Sequence, residues 1–193
     1  MAVFGNEVAY GTYNGLGDPG LEGARFQLVE AGNVTNISTD LISWDEANHN
    51  CKCGIYSDKA GPLPDAFLGG SANVVVNAGG WYNFAVDIDL AAGWYWLAIF
   101  LSNAACRIGN NRGAGGVDKY NYPAYNGFPN PFGAPSDSDT ALLSIHADYT
   151  PAAAGMTVPV AFHHLKSVAN AHVTDFARNL NNVIPKARYG CYR

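Results

Sequence analysis

The chain has 193 residues, of which 48% are hydrophobic, 12% aromatic and only 14% charged, with a formal net charge of −5. That is enough apolar material for one sizeable core, and it excludes a chain that is disordered throughout. Residues 1–150 carry six Lys and Arg against fifteen Asp and Glu, while residues 151–193 carry five against Asp175 alone. An acidic body argues against a broad nucleic-acid face, and no nucleic acid is expected as a partner.

In chain order, Met1–Glu7 lacks the basic region and apolar run of a secretory signal, and no apolar stretch reaches the length of a membrane span. A soluble protein without membrane association is expected. Residues 5–23 are rich in glycine, with one edge strand predicted near Glu7–Tyr13. Ala24–Glu30 follows, pointing Phe26 and Leu28 inward. Val34–Trp44 points Ile37, Thr39 and Leu41 to one side, and its change of phase after Val34 predicts a bulge. Asn50–Tyr56 sets Cys51, Cys53 and Ile55 on one face, and Ser71–Val76 is a valine-rich strand.

Gly80–Leu101 carries the strongest pattern. Tyr82, Phe84, Val86, Ile88 and Leu90 alternate with Asn83, Asp87 and Asp89, as in a half-buried strand. From Trp94 to Leu101 both phases are apolar, so that strand needs cover on both faces. The turn between them predicts a hairpin at the centre of the core. Thr140–Tyr149 resumes the alternation with Ala141, Leu143, Ile145, Ala147 and Tyr149 in phase. The fold class expected is all-β: an antiparallel β-sandwich, jelly-roll-like, over residues 1–150. Two long loops interrupt it, at Ser57–Gly70 and Asn103–Asp139, and loops of that size are often functional.

Past Tyr149 the character changes. Residues 151–193 open with a Pro- and Ala-rich linker, and Leu165, Val168, Val173, Phe176, Leu180 and Ile184 then recur at helical spacing until Pro185. A lone amphipathic helix of this length is marginal in water. The segment is expected to be an arm that packs on its own sandwich or on another subunit.

Ile55-Tyr56-Ser57-Asp58, the Gly/Pro loop after it, Gly80-Trp81, and Leu90-Ala91-Ala92-Gly93-Trp94-Tyr95-Trp96-Leu97-Ala98 form a recognisable series. With Asn130-Pro131-Phe132-Gly133 and the strand Leu143–Thr150, they resemble a widespread β-sandwich module. The module is found in phage and virus structural proteins and in microbial surface or carbohydrate-associated proteins. The resemblance covers roughly residues 20–150. It implies a jelly-roll-like structural or binding role and brings no catalytic residues.

Direct searches for chemistry find little. Cys51, Cys53, Cys106 and Cys191 allow a scheme in which one of the first two bridges to Cys106 inside the sandwich while the other meets Cys191. Buried free thiols and a four-thiolate zinc site are the rivals, the latter without the common C-x₂-C spacing. The histidines show no H-E-x-x-H pattern. Asp137-Ser138-Asp139 offers carboxylates to a calcium ion but no complete EF-hand loop. No catalytic residue, metal site or cofactor is expected.

The expectation is a non-enzymatic structural protein of an assembly, a phage virion component such as a capsid decoration or tail-associated protein. Its partners would be copies of itself or another virion protein. The alternatives are a carbohydrate-binding module, with Tyr120, Tyr122, Tyr125, Phe128 and Phe132, or Trp81 and Trp94, stacking on glycans, and an extracellular filament or cell-surface subunit.

Overall fold

The computed structural model describes residues 1–14 and 19–152, and the expected arm of residues 151–193 lies outside them from residue 153 onward. The described elements are β1 (Ala2–Gly5), β2 (Tyr13–Asn14), β3 (Gly20–Leu28), β4 (Gly32–Ser43), β5 (His49–Lys59), β6 (Leu63–Gly70) and β7 (Val74–Val76). They continue as β8 (Gly80–Leu90), β9 (Gly93–Leu101), β10 (Cys106–Asn111), β11 (Asp118–Asn121), β12 (Asp137–Asp139), β13 (Leu142–Leu143) and β14 (Ile145–Pro151). All pair antiparallel in two sheets, so the all-β expectation holds. Sheet A runs β1-β14-β4-β10-β13, with β8 on the other side of β4 and β2 against β10. Sheet B runs β12-β11-β3-β9-β5-β6, with β7 also on β5.

The expected central hairpin is not one. β8 pairs with β4, from Gly32↔Leu90 to Leu41↔Gly80, while β9 pairs with β3, from Gly20↔Leu101 to Leu28↔Gly93. The turn at Ala91 and Ala92 therefore carries the chain from one sheet to the other. The connection at residues 29–31 makes the same crossing beside it, since the ends of the two connections are paired in both sheets. At this corner Gly32 is tightly enclosed: a Cβ there would stand 2.6 Å from the Thr150 carbonyl oxygen and 2.7 Å from the Tyr149 ring.

The bulge is where the change of phase placed it. Thr35 is skipped in the pairing with β8, where the register shifts between Val34 and Asn36, and the pairing with β14 shifts between Asp148 and Tyr149. Other boundaries differ from expectation. The N-terminal edge strand is β1, not Glu7–Tyr13, and the Ser57–Gly70 loop contains β6, whose Pro64 and irregular register suit an edge position.

The inward phases form one apolar core containing Leu28, Val34, Ile37, Leu41, Cys51, Ile55, Phe84, Leu97, Ile99, Leu101, Ile108, Leu143 and Ile145. β9 is covered on both faces, as its composition requires. On its second face Trp96, Ala98 and Phe100 join Leu21 and Tyr56 under Phe132, with Phe67, Val117, Tyr125 and Phe128 packed around them. The long loop after β11 thus lies across sheet B.

Candidate functional site

The polar residues of the resemblance series are occupied in holding the sandwich. Asp58 Oδ1 accepts from Arg25 Nε at 2.9 Å and from Trp96 Nε1 at 2.8 Å, and Asp58 Oδ2 accepts from Arg25 Nη2 at 2.8 Å. Burial alone would raise this carboxyl, but the bonds from Arg25 and Trp96 and the Arg25 charge outweigh it and hold its pKa low. Ser57 Oγ accepts from the Ala66 amide, and the Tyr56 hydroxyl donates to the Pro129 carbonyl. Tyr56 is also ringed by Phe67, Phe128 and Phe132.

The aromatics of the long loop do not form one platform. Phe132 is fully buried and leaves no ring face for a ligand. Phe128 stacks on Phe67 at 4.8 Å, and Tyr125 sets its edge to Phe100 while its hydroxyl donates to Asn73. Tyr120 packs on the main core, its phenol raised to about 12 by burial and by Asp137. Tyr122 is the exposed member of the five. Beneath the loop, the Lys52 ammonium lies 4.6–5.3 Å from the rings of Tyr125, Phe100 and Phe128. It donates to the Asn126 carbonyl, and burial lowers its pKa.

Among the described residues the cysteines form no disulfide. Cys51, Cys53 and Cys106 are free and buried, with the sulfurs of Cys51 and Cys106 in contact at 3.1 Å. That is well outside the roughly 2.05 Å of a bond. The Cys51 thiol is pushed up by its hydrogen bond to Cys106 and by burial, and the Cys53 thiol by burial. Cys191 and the arm residues Leu165, Val168, Val173, Phe176, Leu180 and Ile184 lie outside the described residues. Among the described residues no three His, Cys, Asp or Glu side chains converge as a metal site. Asp137 and Asp139 sit on β12 against Tyr120 and Asp118.

Among the described residues, the outer face of sheet A carries a mostly polar row in which Trp81, Asn83 and Ala85 are exposed while Ser38 and Asp40 are buried. Residues directly opposite in the ladders share a face. The pairs His146–Ser38–Asn83, Asp148–Asn36–Ala85 and Asp40–Trp81 therefore all point outward. The Asn36 amide nitrogen is shared among Ser38 Oγ at 2.8 Å, Asp148 Oδ2 at 3.0 Å and Asn83 Oδ1 at 3.4 Å, and Ser38 Oγ donates to Asn83 Oδ1 at 2.8 Å. These bonds fix the orientation of the Asn83 and Asp148 side chains. Asn83 Nδ2 and Asp148 Oδ1 are left with no bond among the described residues. Further along, Asn33 bridges the exposed carboxylates of Asp87 and Asp89.

Trp81 closes one end of this row. It is 38% exposed, and its ring lies 5.1 Å from that of His146, two strands away across β4. Asp40, on the strand between, is buried and its carboxyl is raised, chiefly by burial, with the Tyr13 hydroxyl pulling the other way. Among the described residues the buried atoms Asp40 Oδ2, His146 Nδ1 and Arg107 Nε meet no hydrogen-bond partner. Arg107 lies beneath the exposed Trp44, 4.9 Å from its ring centre. Of this surface the sequence offered Trp81 as a glycan contact and placed Asn83, Asp87 and Asp89 on the outward phase of their strand. The signal for the rest is the outward phase of three strands, where Asn, Ser, Asp and His replace the Lys and Glu of an ordinary solvated face.

No family model, no curated protein and no solved structure matches the chain.

Proposed function

We propose that this chain is a non-enzymatic, jelly-roll-type subunit of a larger assembly, with a virion component such as a capsid decoration or tail-associated protein as the leading setting. An extracellular filament or surface protein is the second setting. The arm of residues 151–193 docks on a neighbouring copy, and the outer face of sheet A is turned toward an external partner. The jelly-roll reading is supported by a chain that crosses between sheets at β3–β4, β4–β5, β8–β9 and β9–β10. The assembly reading is supported by the basic, apolar arm beside an acidic body.

The observation that carries the proposal is where the polar chemistry sits. Tyr56, Ser57 and Asp58 are spent on the fold, and the ordered polar groups left open belong to a flat sheet face, which suits binding better than bond breaking. Light scattering on residues 1–193 beside residues 1–152 tests the assembly role. Several copies are expected for the longer chain and one for the shorter, and a monomer in both cases ends the proposal.

A further inference from the structure

We infer that the outer face of sheet A is a binding site for a neutral carbohydrate, with Trp81 as the stacking platform and Asn83, Asn36 and Asp148 as the groups that read the hydroxyls. This rests on the reading of that face as the recognition surface, and it names the ligand class.

The chemistry of the face is narrow. A sugar ring presents C–H groups on its flat side and hydroxyls, each both donor and acceptor, around its rim. The exposed part of the Trp81 indole, which leans on the His146 ring, matches the first. Asn83 Nδ2 supplies a donor and Asp148 Oδ1 an acceptor, both held in place by Asn36 and Ser38. Trp81 and Asn83 are two residues apart on one strand face, about 7 Å. A ring resting on the indole therefore brings its edge over the amide. Because the row is bonded before any ligand arrives, little side-chain freedom remains to be lost on binding.

Other partner classes fit less well. The large exposed apolar side chains placed on this face are Val3, Trp44 and Trp81, too few for the apolar centre of a stable protein interface. Asp87, Asp89 and Asp148 face outward on the same sheet, which disfavours phosphate and acidic sugars alike. Neutral or amino-bearing glycans remain, and the hydroxyl-matched row favours the neutral ones.

The test is an oligosaccharide array carrying neutral gluco-, manno-, galacto-, xylo- and chito-oligomers beside sialylated and uronic acid glycans. It is probed with the labelled full chain, and hits are followed by calorimetry. The expected result is binding to a neutral class that falls roughly tenfold or more in Trp81→Ala, falls likewise in the exposed variant Asn83→Ala, and persists in Tyr122→Ala. Three results overturn the inference: no binding to any glycan on the array, binding only to acidic glycans, or binding that both face variants retain. A chain that assembles but binds no glycan defeats this inference alone. One that binds but stays monomeric defeats only the assembly reading.

Discussion

Asp58 is the polar hinge of the sandwich, and its removal has a calculable cost. In Asp58→Ala the Trp96 indole N–H, on a fully buried ring, loses its acceptor. An unsatisfied buried donor costs about 1–3 kcal/mol. The Arg25 pair is bidentate but partly exposed, with side-chain exposures of 22% and 14%, so it adds only about 1 kcal/mol. The sum is about 2–4 kcal/mol, or about 5–15 °C in melting temperature for a chain of this length. Asp58→Asn keeps an acceptor for Trp96 but loses the charge and the acceptor for Arg25 Nη2, so it should cost less than the alanine variant, about 1–2 kcal/mol. The acid limb gives a second readout. Because the folded-state carboxyl is held low, its contribution is complete above the unfolded value of about 4 and is lost as pH falls below it. The asparagine variant should lack that part of the acid loss. Denaturant melts followed by tryptophan fluorescence, repeated from pH 7 down to 3, measure both. An alanine variant within about 0.5 kcal/mol of the parent, with an unaltered acid limb, refutes the reasoning.

Other outcomes follow from the same geometry. Glu22 is fully buried beside Asp118, Asp139 and Arg112, and burial and Asp118 push its carboxyl well up. A raised carboxyl stabilises below its unfolded value of about 4 and loses that contribution as pH rises. Glu22→Gln should therefore gain on the parent with rising pH; thermal melts at pH 5 and 8 that show no such divergence contradict it. Phe132→Ala removes the cover of the second core and should cost about 3–5 kcal/mol in a urea melt. Cys51, Cys53 and Cys106 should resist iodoacetamide in the native protein and react fully in denaturant, read by mass spectrometry, and rapid native labelling of any of them contradicts their burial.

Much of the fold was legible because alternation is a local signal. The double apolarity of β9, the bulge after Val34 and the inward set from Ala141 to Tyr149 all follow from which side chains share a face. The corner at Ala91 and Ala92 was not legible, because strand, turn and strand read alike in a hairpin and in a crossing between sheets. Only the partners distinguish the two, and they lie dozens of residues away on β3 and β4. The candidate site was hidden for the same reason. Asn36, Asn83 and Asp148 each look like ordinary outward polar residues, and they become a bonded row only once β8, β4 and β14 are neighbours.

The two outer faces differ in a way that directs any partner to one of them. On sheet B the outward side chains Leu21, Tyr56, Trp96 and Phe100 are apolar and must be covered, and the chain supplies Phe128 and Phe132 from its own loop. That cover is secured by the Tyr56 hydroxyl on Pro129 and the Lys52 ammonium on Asn126. A partner arriving at sheet B would have to lift the loop and expose those rings, at about 1.5–3 kcal/mol for each large side chain. On sheet A the outward phase is mostly polar and partly bonded, so a ligand there need lift no described loop. Among the described residues it is the face without an apolar demand of its own, which is why the proposed recognition surface is assigned to it.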